Sequence, residues 1–365
     1  MAEREQLAME DCSGLHAPSR RQDPETATAA GDAERAIRAM QSRPRLQEAI
    51  RAAVSGNIET YRSNGLLNRV INDRGRAVGS LIALYLHFSA WPGGKGGLTI
   101  GRFQALCADV KICSPGRARA LLMLMRFAGY LAPEPAASDR RQRRLVPTEH
   151  LIEVHRRRWK QQFEAMALVM PEGHAALDIH GRPEFLAAFV RHLGASYIAG
   201  FRVVDYAPDL ARLVESNAGL LVISSLFLAA ADGPAAPGGT VVPVSISALS
   251  ATFSIARAHA RKLLADAAAA GLVRRTDRND AVVVLPRLIR TMSDFYAALF
   301  ALLAHCADAA AAEIGSVPQS ARLGRAQGSA SPPPDDPVTW PRRCQAWKPT
   351  PLALASRDGE SAASG

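Results

Sequence analysis

Apolar positions recur along this chain mostly at helical spacing, with short extended pieces between them. Residues 77–90 are almost continuously apolar and run into Trp91-Pro92-Gly93-Gly94, which predicts a helix and its stop. Leu98-Thr99-Ile100 reads as a short extended piece in which Thr99 caps the next helix. Phe103, Leu106 and Val110 share one face of that helix, and residues 111–114 form a turn. Pro115 sits where a first helical turn tolerates proline. Ala118, Leu121, Leu122, Met125 and Ala128 then follow the i, i+3, i+4, i+7 rule as far as Gly129. Tyr130-Leu131 opens a strand, residues 133–142 are a polar hairpin tip, and 143–147 return as a second strand. A long amphipathic helix begins at Thr148.

The same order of features returns about 140 residues later. RPRLQEAI from Arg43 answers to RPEFLAAF from Arg182, and Tyr61-Arg62 to Phe201-Arg202. LIALYLHFSAWPGG from Leu81 answers to SSLFLAAADGPAA from Ser224. RARALLMLMRFAGYL from Arg117 answers to HARKLLADAAAAGLV from His259, and Trp159 and Phe163 to Tyr296 and Phe300. In this second copy residues 244–253 and 256–270 are the paired helices, with Ala260, Leu263, Leu264 and Ala267 inward and Gly271 as the stop. The predicted fold is mainly α with small β-hairpins: tandem helix-turn-helix units, each carrying a hairpin, between flanking packing helices at 45–54, 152–170, 184–193 and 289–312. The first unit spans 43–170 and the second 182–312, with 171–181 as a linker. Residues 1–42 are expected to be disordered or partly helical. Residues 313–365, rich in Pro and Ser, are expected to be a disordered tail, with WPRRCQAWKP from Trp340 as a docking motif or merely a sticky stretch.

Composition narrows the function. The formal charge of +10 favours a polyanionic partner, nucleic acid first. Aromatic residues are 6 % of the chain and alanine is abundant, so the helical cores are expected to be built from small side chains. Cys12, Cys107, Cys113, Cys306 and Cys344 show neither disulfide nor zinc spacing, which fits a reducing cytoplasm. The N-terminal MAEREQLAMEDCSG is charged where a signal peptide needs an apolar run. Residues 220–231 are too few to span a bilayer, and 295–312 include His305 and Asp308, so a buried packing helix is expected there and no membrane partner. The Gly93–Gly97 run lacks the spacing of a phosphate loop, and His150 and His155 lack that of a zinc helix. His174 and His180 are expected to be solvated and Cys107 to be a small buried hydrophobe. No metal, cofactor or catalytic constellation is legible, so an enzyme is not expected.

The sharpest chemistry lies in the first hairpin. SDRRQRRLVPTEHL, from Ser138, places Arg140, Arg141, Arg143 and Arg144 within five positions, where they repel one another unless an anion is near. The segment resembles the wing of the MarR family of bacterial regulators. There an Asp-x-Arg pair is followed by polar residues, an aliphatic pair and a Thr before the last helix. Asp139 and Arg141 match the pair, and Leu145, Val146 and Thr148 the return strand, while Pro147 stands in place of the usual Leu. The resemblance implies winged helix-turn-helix units binding double-stranded DNA, with Arg141 in the minor groove steadied by Asp139. It also implies terminal helices that dimerise, as a homo-oligomer or as an intrachain pseudo-dimer, and leaves room for a small-molecule effector.

The second helix of each unit would enter the major groove. Arg119 and Arg126 lie away from the apolar stripe of the first such helix, with Arg117 at its edge. Arg257, Arg261 and Lys262 are the cations of the second, where Arg261 takes the place equivalent to Arg119. Met123 and Phe127 also point outward. The second hairpin, RRTDRNDAVVVLP from Arg274, is nearly balanced in charge, so the first unit is expected to dominate. Two other functions compete with a transcriptional regulator: a replication- or partition-type DNA binder, and a protein–protein adaptor that uses winged helices without DNA. The adaptor reading gains from Met123, Phe127 and the weak second wing, and loses from the four clustered arginines.

Overall fold

The computed structural model describes residues 24–62, 74–89, 97–134, 144–276 and 280–316. Two helices, α1 (Pro24–Gln41) and α2 (Leu46–Arg62), open the described chain. Then follow α3 (Arg74–Phe88), strand β1 (Leu98–Thr99), α4 (Ile100–Asp109), α5 (Pro115–Phe127), the strands β2 (Leu131–Pro133) and β3 (Arg144–Pro147), and α6 (Glu149–Ala167). Helices α7 (Pro171–Ile179) and α8 (Pro183–Ile198) lead into two short 3-10 turns (Val203–Tyr206 and Pro208–Leu210) and the single turn α9 (Ala211–Val214). The second half continues with α10 (Gly219–Ala229), β4 (Ala235–Ala236), β5 (Gly239–Pro243), α11 (Ile246–Phe253), α12 (Arg257–Ala269), β6 (Val273–Arg275), β7 (Ala281–Val284) and the long α13 (Pro286–Ser316). The protein is thus mainly α with two small antiparallel sheets.

The paired helices start and stop where their side chains dictate. The hydroxyl of Thr99 accepts the Arg102 amide at 3.3 Å at the start of α4, and that of Ser114 accepts the Arg117 amide at 3.4 Å at the start of α5, where Pro115 opens the first turn. Ser245 caps α11 through the amide of Ala248 at 3.2 Å. Gly129 and Gly271 follow α5 and α12 at φ +76° and +67°, the left-handed conformation in which a β-carbon is costly. The predicted inward residues Ala118, Leu121, Leu122 and Met125, and in the second half Ala260, Leu263, Leu264 and Ala267, are all buried.

Both sheets place the strand before the helix pair beside the return strand of the hairpin. The orders are β1-β3-β2 and β4-β5-β7-β6. Leu98 lies opposite Leu145 in the first, and Val241 opposite Val283 in the second. Strand β5, with its short partner β4, lies in a stretch for which no strand was expected. The β-branched Thr240-Val241-Val242 run favours it, and Gly239 admits the backbone of Val284 where a β-carbon would collide with it.

The expected linker at 171–181 is instead mostly helix α7. Its Pro171 is an N-terminal helix residue, and Gly173 lies so close to the Ala167 backbone that no side chain fits. Helix α13 continues past the expected end at 312, to Ser316. By length and composition Pro286–Gly315 passes for a membrane span, yet 67 % of its apolar window is buried within the fold.

The two halves share one continuous core. Helix α2 packs on α6, and α8 on α13. Each half also lends a helix to the other, since α3 packs on α8 while α10 packs on α2. An aromatic cluster closes the joint: Phe189 of α8 meets Trp159 and Phe163 of α6 edge-on, each with ring centroids 5.3 Å apart.

Candidate nucleic-acid interface

On α5 the stripe from Ala118 to Met125 faces the core, which leaves Arg117, Arg119 and Arg126 exposed. Arg119 and Arg126 are seven residues apart and share a flank of the helix, with Arg117 on the opposite flank. None of the three makes an ion pair with any described residue, so their charges are available to an outside anion. Between these flanks, Phe127 projects with 91 % of its surface exposed. Met123, expected to point outward too, is half-buried against the core.

On α12 Arg257, Arg261 and Lys262 are all exposed, but they differ in engagement. Lys262 is bonded to Asp266 one turn on, Nζ to Oδ2 at 2.5 Å, and this contact holds the Asp266 carboxyl below the usual carboxylate range. Arg212 adds a longer approach to the same carboxylate at 3.9 Å. Lys262 is therefore a partly neutralised contact, whereas Arg257 and Arg261 carry no ion pair among the described residues. Arg261 and Arg275 line one recess between α12 and the second sheet. His259 is tied inward, its Nε2 lying 2.9 Å from the carbonyl of Asn217.

Of the arginine-rich first hairpin, Arg144 alone belongs to the described residues; Asp139, Arg140, Arg141 and Arg143 lie outside them. Arg144 is not a free surface cation. It is half-buried on β3 and reaches across the base of the hairpin towards Glu134, Nη1 to Oε2 at 3.8 Å. Strand alternation explains this: Leu145 and Pro147 take the buried positions, and the hairpin partner of Arg144 is an acid.

One other expectation is revised. His180 is not simply solvated; its Nδ1 lies 2.7 Å from the carbonyl of Leu177, where it closes α7. His155, for which the sequence pointed to no role, is buried and hydrogen-bonds to Ser80 across 3.0 Å, and burial pushes its pKa down to about 3. Cys107 is buried as expected, and burial together with the neighbouring Cys113 thiol pushes its pKa up to about 12. Among the described residues there is no cluster of three metal-ligating side chains.

Compared with family models, curated proteins and solved structures, the chain matches none. What defines it is its architecture: a mainly helical protein of two similarly ordered halves, each exposing a basic helix beside a small antiparallel sheet.

Proposed function

We propose that this protein is a DNA-binding regulator that presents two winged helix-turn-helix heads to duplex DNA, the first half making the dominant contact. The carrying observation is α5, a capped helix beside a hairpin, which exposes Arg117, Arg119 and Arg126 with no ion pair among the described residues. A helix of this diameter fits the major groove, and unpaired guanidinium groups suit guanine edges and phosphates. The reciprocal packing of the halves supports an internal duplication acting as an intrachain pseudo-dimer.

The test compares a selected site with random duplex at several salt concentrations. Arg119→Ala should cost about 1–3 kcal/mol on the preferred site and much less on random DNA. Arg141→Ala should weaken binding to all DNA and reduce the salt slope by about one. Arg261→Ala should matter less than Arg119→Ala. Wild-type affinity no greater than that of an unrelated, equally basic protein refutes the reading. That result would favour the adaptor, for which the exposed Phe127 at the end of α5 is the specific support.

A further inference from the structure

The outward side of α5 is apolar where a surface helix is ordinarily polar. Its buried stripe is Ala118, Leu121, Leu122 and Met125. At about 3.6 residues per turn, Gly116, Ala120, Met123 and Phe127 fall on the opposite side and form one ridge. Side chains lengthen along this ridge, from Gly116, which has open space before it, to the ring of Phe127. Phe127 is the one large hydrophobic side chain exposed among the described residues. Arg119 and Arg126 run along one flank of the ridge and Arg117 stands on the other, none of them in an ion pair with a described residue.

The chemistry of an occupant follows from that layout. Guanidinium groups on both flanks call for a partner with negative charge along two edges, which a second copy of α5 would not bring. A phenyl ring offers neither donor nor acceptor, so the surface it meets between those edges must be apolar. Duplex DNA meets both conditions. Phosphates border the major groove on either side, and of the base edges inside it thymine alone carries an apolar group, the C5 methyl. The thirteen residues of α5 are about 20 Å long, and Gly116 and Ala120 are small enough to let the backbone approach the base edges. The second half lacks this feature. The correspondence that matches Arg119 to Arg261 sets Lys262, Ala265 and Ala269, all exposed, where α5 has Ala120, Met123 and Phe127.

We infer that Phe127 is a specificity-determining residue that packs on the C5 methyl of a thymine in the major groove, and that the protein reads a non-palindromic site in one orientation. A two-fold dimer imposes its symmetry on the site it binds. Here the two heads differ at the ridge and share one continuous core, so the thymine contact belongs to the first half of the site alone. The inference rests on the DNA-binding reading and adds to it the base that is read and the direction of binding.

The test begins with the duplex that the full chain selects from a random library. Each thymine in it is replaced singly by deoxyuridine, which removes the C5 methyl and nothing else. Wild type should bind about fourfold more weakly when the critical thymine is changed, the worth of one buried methyl. The sensitive position should lie in one half of the site only. Phe127→Ala, a change at an exposed position whose fold a thermal melt confirms, should bind the thymine and uracil duplexes alike. A selected site that tolerates uracil at every thymine would overturn the inference and leave the DNA-binding reading standing. So would a Phe127→Ala variant that still tells thymine from uracil; the ridge would then belong to a protein partner. Sensitive thymines placed symmetrically in both halves of the site would overturn the single orientation. Failure to select any site would remove the DNA-binding reading and this inference with it.

Discussion

His155 makes a sharp prediction about acid stability. Its ring is buried on α6 against Ser80 and Trp159, and burial first, then the nearby Arg158 charge, pushes its pKa from 6.5 down to about 3. The native state therefore keeps the ring neutral over a range in which the unfolded chain protonates it. The unfolded state binds more protons there, so stability falls as the pH drops below about 6.5 and continues to fall until the folded-state value is reached. At about 1.4 kcal/mol per pH unit, the loss attributable to His155 between pH 7.5 and pH 5 is about 2 kcal/mol. Urea denaturation of wild type and His155→Leu at both pH values isolates it. His87 and His305 are also shifted down, mainly by burial, and so have the same sign, but both proteins contain them and their effect cancels in the comparison. Wild type should lose about 2 kcal/mol more than the variant on acidification. Equal losses would refute a buried neutral imidazole at this position, whatever the variant costs at neutral pH.

Gly194→Ala should destabilise the joint between the halves by about 1–3 kcal/mol, because the new methyl would run into the buried ring of Tyr85 on α3, and a fall in thermal midpoint checks it. The added variant Tyr85→Leu should recover part of that loss; no recovery would mean that the glycine serves something other than close helix approach. Ser114→Ala and Ser245→Ala should each cost about 1 kcal/mol in urea denaturation through loss of a helix cap, and being in separate halves they should add.

Much of the helical framework was legible because surface helices advertise their inner faces. The stripes through Leu121 and Leu263 predicted their own burial, and Thr99, Pro115, Gly129 and Gly271 marked the ends. Punctuation misled where tertiary contact reverses its meaning. Pro171 and Gly173 read as a break, yet one begins a helix and the other permits a close contact. Strand β5 escaped notice because its partner β7 lies some forty residues away, and only pairing makes the Thr240–Val242 run a strand. The engagement of Arg144 with Glu134 depends on hairpin register. Least legible of all was the cavity of about 260 Å³ on the seam between the halves, because helices far apart in sequence, from both halves, line it. The mixed stripe His155, Arg158, Trp159, Gln162 was a signal that could have been followed: polar groups on the face where α6 should be purely apolar.

The exchange of helices between halves, α3 onto α8 and α10 onto α2, has a consequence for how the protein holds together. Two separate polypeptides joined in this manner would come apart on dilution and regain their partners only by collision. With α7 bridging the halves, each is kept within reach of the other at an effective concentration on the order of millimolar. The joint should then survive at the few copies per cell at which a free pair would fall apart. The tether also releases the two sides from the requirement of being identical, so that one can carry His155, Arg158 and Gln162 where the other carries Met292, Phe295 and Leu299.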